Sequence, residues 1–349
     1  MRILDFSSLL PGPFATMMLG DLGAKIITVE APHRVDLVKQ MDPKIGETSA
    51  LYQALNRNKT IIELDLKNPT DISKIYKLIE EYDVVIEGFR PGVMERVGLG
   101  YETLKAKNEK LIYCSLTGYG QEGPFAQRAG HDINYLALSG IPSYSGKPSV
   151  GPSLNGIQIA DIAGGSLHAV ISLLTAYIHR QKTGVGQHLD VAMFDTSFSL
   201  SIFETTNYLV NQIIPKPSSG ILNGGSLYDY YKTIDERYLS IGSLEPKFQN
   251  QLFKILEIDT IGKSNQEVKK LIHDLIATKP LDYWIKQFSN YDVCVEPVLT
   301  LDEVMNHPHL THRKLIKTMK VTDDSELKYI THPIKYSAYK PKANPLTRQ

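Results

Sequence analysis

The sequence predicts an α/β protein, with a large domain built on a Rossmann-like parallel sheet and a smaller α+β domain after it. In the first half of the 349-residue chain, short apolar runs alternate with helical patterns, which is typical of βαβ units. Residues 211–225 (NQIIPKPSSGILNGG) then have the proline, serine and glycine content of a linker. Beyond the linker the pattern changes to a hairpin followed by helices, and this indicates a second domain.

The elements of the large domain follow from helix-end and turn signals. A helix over 13–22 has Pro13 in its first turn and Gly23 just past its end, and it joins two short apolar runs into one βαβ unit. A second helix begins after Asn68 and runs to about residue 81. A long apolar helix opens at Asp161 and ends near residue 181, and another follows to about residue 210. The predicted strands are residues 3–6, 25–29, 60–66, 83–87, 111–116 and 188–192.

The smaller domain is predicted to start with an antiparallel hairpin. Residues 226–232 and 238–242 form its strands, and residues 233–237 form its turn. Helices are expected at residues 248–255, 266–277 and 281–288. We therefore expect a large domain at 1–187, a connecting helix and linker at 188–224, the small domain at 225–315, and a polar, proline-spaced tail at 316–349 that returns toward the large domain.

Composition excludes several classes of function. Lys plus Arg and Asp plus Glu number 38 each, so no overall field attracts nucleic acid or an anionic membrane. The two cysteines stand in apolar stretches far apart, and we expect buried thiols with no disulfide. The start, MRILDFSSLLPGP, is unlike a signal peptide, and Asp161 and His168 interrupt the apolar run at 157–178, so a core helix is expected there. We expect a soluble, cytoplasmic protein.

A nicotinamide or flavin cofactor is not expected. Glu30 ends the second strand, where a dinucleotide-binding fold places its ribose-binding acid. However, residues 7–13 (SSLLPGP) lack the G-x-G-x-x-G spacing, and their two prolines remove amide donors from the first turn.

Two separate segments offer a pair of proton carriers. In residues 130–140 (GHDINYLALSG), His131 follows a glycine, and Asp132 stands where a helix begins and can cap it. In residues 159–165 (IADIAGG), Asp161 opens a long apolar helix that has no other acid. His168 lies on the same helix face, but its apolar neighbours predict a packed side chain. We therefore expect His131 and Asp161 to face one substrate.

Together these segments resemble the family III CoA-transferase (CaiB/BaiF) superfamily, and within it the α-methylacyl-CoA racemases. The resemblance covers roughly residues 1–310, in register and in order. Its motifs are LLPGPFATMMLGDLGAKIITVEAP, ELDLK, GFRPGVMERVG, LIYCSLTGYGQEGP, GHDINYLALSG, ADIAGG, TGVGQHLDVAMFD and LEPKF.

The resemblance implies a racemase that inverts the α-carbon of 2-methyl-branched acyl-CoA thioesters in lipid metabolism. It implies no metal, no cofactor other than the CoA of the substrate, and an interlocked homodimer. Carried over by position, it makes His131 and Asp161 the acid/base pair and Glu245 the carboxylate that orients the histidine. That chemistry is sound, because an α-hydrogen beside a thioester needs a base on one face and an acid on the other.

CoA-binding residues are proposed on charge and on the resemblance. Arg34, Arg57, Lys59 and Arg90 are candidate cations for the phosphates. Where the racemases have an arginine after the second strand, this chain has Ala31-Pro32, and Arg34 is the expected substitute. The remaining candidates are the adenosine-contacting strand residues Glu63, Leu64, Asp65 and Leu66, and the helix-start residues Gly130, Asp132, Ile133, Asn134 and Tyr135, whose amides stabilise an enolate.

Two other functions stay open. In a CoA-transferase, Asp161 is the nucleophile that forms an acyl anhydride and then an aspartyl thioester, covered by a loop at Gly224-Gly225. Transferases of this family do not need a histidine at position 131, so His131 favours the racemase. A non-catalytic acyl-CoA binder is the third possibility, and it gives no use to two titratable groups beside one carbon.

Overall fold

The computed structural model describes all residues from Met1 to Gln349. The chain divides into two compact units. The first unit consists of Met1–Ser139, Asn155–Leu200 and Pro308–Gln349, and the second of Gly140–Leu154 and Ser201–His307. This division differs from the predicted bounds at residues 187, 224 and 315. Residues 188–200 stay with the first unit because the strand at 187–192 pairs in its sheet.

The strands, in chain order, are β1 (Arg2–Asp5), β2 (Lys25–Glu30), β3 (Lys44–Ile45), β4 (Thr48–Ser49), β5 (Lys59–Glu63), β6 (Val84–Glu87), β7 (Ile112–Thr117), β8 (Gln187–Ala192), β9 (Asp229–Lys232), β10 (Tyr238–Ile241), β11 (Val295–Pro297), β12 (Ile316–Thr322), β13 (Ser325–Ile330) and β14 (Thr347–Arg348).

The α-helices are α1 (Pro11–Asp21), α2 (Ala50–Leu55), α3 (Pro69–Ile79), α4 (Val93–Arg96), α5 (Tyr101–Lys105), α6 (Asp132–Ser139), α7 (Ile141–Tyr144), α8 (His168–Thr183), α9 (Met193–Leu200), α10 (Ile202–Asn211), α11 (Pro246–Ile255), α12 (Asn265–Ile276), α13 (Leu281–Phe288), α14 (Leu301–Met305) and α15 (Pro308–Arg313). Leu37–Gln40 is a 3₁₀ turn, and Ala160–Leu167 is a π-helical segment that leads directly into α8.

The first unit is built on a seven-stranded sheet in the order β14-β5-β2-β1-β6-β7-β8, and every neighbouring pair is parallel. The predicted parallel sheet is therefore confirmed. Its central strands are buried on both faces, as expected where helices cover both sides. Leu4 and Val85 have no exposed surface, and they pack with Ile75 and Ile79 of α3.

The C-terminal residues form more structure than the sequence suggested. β12 and β13 make an antiparallel hairpin, and β14 then pairs with the edge strand β5. Two hydrogen bonds between Asn58 and Asn344 hold the C-terminal residues beside the sheet. The Asn58 backbone N–H donates to the Asn344 backbone carbonyl, and the Asn344 backbone N–H donates to Asn58 Oδ1, both at 2.8 Å.

Residues Ala160–Thr183 are long and apolar enough to span a membrane by length and composition alone. In the first unit, however, Ala169 and Leu173 have no exposed surface. Arg180 Nη2 pairs with Asp83 Oδ1 at 2.7 Å near the end of α8. One face of the segment therefore packs in the first unit, as predicted for a core helix, whereas Ile171 and Ile178 on α8 are exposed.

The second unit contains the three-stranded antiparallel sheet β11-β10-β9. Tyr231, Ile272 and Trp284 are buried in its core with side chains from α11 to α13. The predicted hairpin and its three helices are present within a few residues. Both cysteines are free as predicted, but only Cys114 is buried; the expectation was wrong for Cys294, which is exposed.

Candidate functional site

Two cavities open at the carboxyl ends of the parallel strands, where open α/β sheets bind their ligands. The first, called here the histidine cavity, has a volume of about 450 Å³ and is lined by both His131 and Asp161. The second, the strand-end cavity, has a volume of about 580 Å³ and runs along residues 28–37 and 65–67. Both cavities share the wall residues Ser7, Ser8, Leu9, Arg34 and Phe89. A long ligand can therefore lie across the two.

His131 reaches the histidine cavity from the residue just before α6. Its amide donates to Asn134 Oδ1 at 3.0 Å, and its carbonyl accepts from the Asn134 amide at 2.8 Å. These two bonds form a capping turn in which Asn134, three residues on, holds the histidine backbone. The His131 side chain is exposed at the cavity.

Asp161 reaches the same cavity from the π-helical segment. Its amide donates to Asp132 Oδ1 at 3.0 Å, so the first residue of α6 holds the start of this segment. Ser166 Oγ donates to the carbonyls of Pro11, at 2.7 Å, and of Asp161, at 3.0 Å. Helices of this type are rare and often occur at functional sites, where the wider turn re-aims a side chain.

Burial and charge both act on Asp161. Burial raises the pKa of its carboxyl to about 6, Asp132 adds to that rise, and His131 opposes it. The carboxyl therefore changes charge within the range in which many enzymes work, which suits a group that must both take and give a proton.

Tyr135 braces the loop that precedes His131. Its hydroxyl donates to the Gly130 carbonyl at 2.5 Å, and its ring meets Tyr119 edge-on at 5.1 Å between centroids. A Cβ atom at Gly118 or Gly130 would lie 2.4 or 2.6 Å from the Tyr135 ring, so both positions require glycine. Burial raises the pKa of Tyr135 to about 12, and nearby Asp161 adds to that rise.

His168, the weaker histidine candidate, is half-buried and does not line the cavity. Its Nδ1 lies 2.7 Å from the Ala163 carbonyl, one wide turn earlier. It packs within the helix, as predicted.

Some of the predicted CoA-binding residues line the two cavities. Arg34 lines both, with its guanidinium carbon 5.1 Å from the centre of the Phe89 ring, and Arg90 lines the histidine cavity. Asp65 and Leu66 line the strand-end cavity. Gly130, Asn134 and Tyr135 line the histidine cavity. Glu63 and Ile133 are exposed and Leu64 is buried, and none of these three lines either cavity.

Arg57 and Lys59 are buried in ion pairs away from both cavities, which corrects the expectation that they face a phosphate. Arg57 binds Asp21 through Nε at 2.8 Å and Nη2 at 2.6 Å. Lys59, 1% exposed, donates to the Pro13 carbonyl at 3.0 Å and lies 3.4 Å from Asp5 Oδ2. Burial lowers the pKa of Lys59, and Asp5 opposes that effect. A count of positive residues does not reveal such burial.

The Arg57→Met variant is expected to lose about 3–5 kcal/mol of unfolding free energy, because it leaves Asp21 buried without its partner. Denaturant unfolding followed by circular dichroism measures this. The exposed Arg34→Met variant is the matched control and should unfold within about 0.5 kcal/mol of the parent. An Arg57→Met protein as stable as the parent would contradict the structural role.

Sequence reasoning missed Glu87, which holds the loop between the two cavities. It is 4% exposed, and its Oε2 accepts from the Phe89 amide at 2.7 Å. Burial raises its pKa to about 7, while hydrogen bonds from Ser115 and the Phe89 amide oppose the rise. A glutamate at the end of the otherwise apolar run DVVIE was the signal that could have found it.

Glu245 and the Gly224-Gly225 loop belong to the second unit. Glu245 is exposed and caps the start of α11 through its backbone, since its carbonyl accepts from the Phe248 and Gln249 amides at 3.0 Å. The glycine loop is held by Lys269, whose Nζ donates to the Gly224 carbonyl. The Asp229 carboxylate binds two lysines: Oδ2 lies 2.6 Å from Lys269 Nζ, and Oδ1 lies 2.6 Å from Lys147 Nζ. Lys147 is therefore linked through Asp229 to Lys269, which holds the glycine loop.

The chain is similar to known enzymes along most of its length. It is 36% identical over 332 residues to a human alpha-methylacyl-CoA racemase, covering 93% of this chain and 83% of that protein. It is 31% identical to human succinyl-CoA:glutarate CoA-transferase, covering 97% of this chain and 80% of that protein. The crystal structure of a CAIB/BAIF family protein from Brucella suis superposes with a TM-score of 0.84 at 27% identity, covering 100% of this chain and 95% of that one.

Residues 1–346 match the family model described as CoA-transferase family III. The match spans the parallel sheet, both cavities and the second unit. The chain therefore belongs to CoA-transferase family III.

Proposed function

We propose that this enzyme inverts the α-carbon of 2-methyl-branched acyl-CoA thioesters by 1,1-proton transfer. The observation that carries the proposal is that His131 and Asp161, from separate segments, line one cavity. The similarity to alpha-methylacyl-CoA racemases supports it. We further propose a cytoplasmic role in the metabolism of branched lipid acyl groups.

In one direction, the imidazole of His131 removes the α-hydrogen as a proton. The C–H electron pair moves into the thioester carbonyl and forms an enolate. Protonated Asp161 then delivers a proton to the opposite face of the same carbon, and the carbonyl re-forms. In the other direction the Asp161 carboxylate is the base and the imidazolium is the acid. Each turnover therefore leaves protonated the side chain that began as the base, and deprotonated the one that began as the acid.

The start of α6 favours the negative charge of the enolate. The first amides of a helix have no partner within it, and the positive end of the helix dipole favours negative charge there. In α6 these are the amides of Asp132 and Ile133, which follow His131 but do not line the cavity, so they act on the enolate through the dipole. A donor in direct contact with the enolate oxygen contributes about 10²–10³-fold to the rate.

The CoA portion of the substrate must provide the rest of the acceleration. General acid/base catalysis contributes about 10²–10⁴-fold, and even with an oxyanion donor the product lies near the low end of enzymatic accelerations of about 10⁶–10¹⁷-fold. Binding energy from a remote group can hold the reacting carbon in place. The strand-end cavity is where we propose that the nucleotide end lies, with Arg34 and Arg90 toward its phosphates.

Incubation of a single enantiomer of a 2-methylacyl-CoA in deuterated water tests the proposal. Deuterium should appear at C2 together with loss of optical purity, as measured by mass spectrometry and chiral chromatography. Absence of label, with movement of CoA to a free carboxylic acid, would establish the transferase instead.

Transfer of CoA between carboxylic acids is the second candidate function. The presence of a succinyl-CoA:glutarate CoA-transferase among the similar proteins favours it, as does the position of the Asp161 carboxylate in the cavity. In that reaction Asp161 attacks the thioester carbonyl and CoA leaves as a thiolate, which forms an acyl-aspartyl anhydride. The thiolate then attacks the Asp161 carbonyl, which releases the donor acid and leaves an aspartyl thioester. The acceptor carboxylate attacks this thioester to form a second anhydride, and the thiolate takes the acceptor acyl group from it and frees Asp161.

The rate of racemisation is expected to depend on pH through Asp161, whose pKa is about 6. Each direction needs one group as the base and the other as the acid, so the pair must hold one proton in total, and both enantiomers share one pH profile because the equilibrium between them does not depend on pH. For both enantiomers kcat/KM should therefore fall as pH drops below about 6, because protonation of the Asp161 carboxylate adds a second proton to the pair.

The Asp132→Asn variant should move this fall in kcat/KM to lower pH for both enantiomers. It removes a negative charge that raises the pKa of Asp161, and its amide oxygen can still accept from the Asp161 amide. The exposed Glu80→Gln variant is the matched control and should not move the fall. An unchanged pH profile in Asp132→Asn would contradict this assignment.

We also propose a homodimer. In the first unit, α8 exposes Ile171 and Ile178 at 60% and 57%. In the second unit, α10 exposes Ile202 and Val210 at 72% and 76%. Apolar surfaces of this kind mark protein interfaces, and a family member with the expected interlocked subunits would cover them. Light scattering should give a mass of twice 39.1 kDa, and a monomer mass would refute the dimer.

A further inference from the structure

A third cavity in the first unit lies apart from the site described above. This C-terminal cavity has a volume of about 280 Å³ and is lined by Asp21 and by residues from 313 to 343. It shares no residue with the histidine cavity or the strand-end cavity. Six of its lining side chains are cationic, namely Arg313, Lys314, Lys317, Lys335, Lys340 and Lys342.

These cations have no counter-ions. None of the six takes part in a salt bridge, and the only acid in the wall, Asp21, is 2% exposed and held by Arg57. Residues 308–349 contain nine Lys and Arg against three Asp and Glu, although the whole chain is neutral. Uncompensated like charges around one cavity repel each other, and they create a field that attracts an anion.

Aromatic side chains stand among the cations. Tyr336 and Tyr339 are each 40% exposed, with ring centroids 6.2 Å apart, and Tyr329 also lines the cavity. Flat rings beside a positive surface suit a ligand that joins a phosphate to a base, because bases stack on tyrosine.

His332 adds a polar group to the wall. It is 7% exposed, and its ring lies 5.9 Å from the ring of Tyr336. The Ile334 amide donates to Nδ1 at 3.3 Å, whereas Nε2 is buried and has no hydrogen-bond partner. A buried polar atom without a partner is costly, so its presence in a cavity wall is consistent with a ligand-binding role.

We propose that the C-terminal cavity is a second ligand site, which binds a nucleotide through its phosphates and its base. The lysines and Arg313 hold the phosphates, Tyr336 stacks against the base, and Tyr339, whose ring is turned 79° from that of Tyr336, meets the base edge-on. A free nucleoside diphosphate and the phosphorylated ADP end of a CoA ester share this chemistry. The site is separate from the acid/base chemistry proposed above and does not depend on it.

Isothermal titration with ADP tests the proposal. The parent protein should bind ADP, and the Lys335→Gln/Lys340→Gln variant should bind it at least about tenfold more weakly, because two charge-assisted contacts are lost. The control is Lys77→Gln/Lys254→Gln, which removes two exposed lysines that line none of the three cavities; its affinity should equal that of the parent. Tyr336→Ala should weaken ADP but not inorganic phosphate.

Two further titrations identify the source of the nucleotide. If ADP binds fully to protein saturated with an acyl-CoA, the site takes a free nucleotide. If coenzyme A alone binds at two sites per chain and displaces ADP from the lysine-dependent one, the CoA ester is the source. Either result supports the proposal.

Four results would overturn the proposal. The first is that ADP does not bind at millimolar concentration, and the second is that Arg34→Ala weakens ADP binding whereas the lysine variant does not. The third is that inorganic phosphate binds as tightly as ADP. The fourth is that a short RNA binds more tightly than ADP. All of these measurements are of binding, so their failure leaves the racemase proposal as it stands.

Discussion

The His131→Ala variant is expected to lose racemisation by about 10²–10⁴-fold and to keep α-proton exchange with only one of the two enantiomers. Asp161 lines the same cavity and can still remove the α-hydrogen that faces it. Without imidazole, however, no group returns a proton to the other face. Deuterium incorporation into each enantiomer, measured separately, reports the two half-reactions.

The control for this variant is His179→Gln. His179 is exposed on α8 and lines neither the histidine cavity nor the strand-end cavity, so this variant should racemise like the parent. CoA transfer, assayed with a free acid acceptor, should survive in His131→Ala if the chain is a transferase. Racemisation at the parental rate in His131→Ala would eliminate the two-base mechanism.

The Asp161→Asn variant is expected to show the mirror-image defect. It should lose racemisation by a similar factor of about 10²–10⁴ and exchange only the enantiomer whose hydrogen faces His131. Asparagine keeps the shape of the side chain, and the backbone amide that bonds Asp132 is unchanged. The loss would therefore report the missing proton carrier and not a displaced helix.

The two variants together test the geometry. Each should retain exchange with the enantiomer that the other has lost. If both retain exchange with the same enantiomer, the two groups do not act on opposite faces of the carbon. Asp161→Asn should also abolish CoA transfer, because that reaction needs the carboxylate as its nucleophile.

Local patterns predicted most of the fold. The inner strands β6 and β7 carry mostly apolar runs because both of their faces are buried. The helix between β1 and β2 has proline at its start and glycine past its end. β14 could not be predicted, since two polar residues carry no strand pattern. Its pairing depends on the contact between Asn58 and Asn344, which are 286 residues apart.

The site was predictable where one short segment carries the chemistry. The histidine before a helix start and the lone acid at the start of an apolar helix are visible in the sequence. The π-helical turn at Asp161 was not, because it depends on the bonds that Ser166 makes with Pro11 and Asp161. The burial of Arg57 and Lys59 was also hidden, because it is set by Asp21 and Asp5 in distant elements.

The chain passes between its two units four times, since the second unit is assembled from residues 140–154 and 201–307. No single crossover point in the gene therefore separates one unit from the other. A recombinant that takes its second unit from a relative must replace both stretches together. If only one stretch were replaced, the Lys147–Asp229 pair, in which Nζ lies 2.6 Å from Oδ1, would combine residues from two different proteins. Chimeras for changing substrate range should be built with these paired segments as one module.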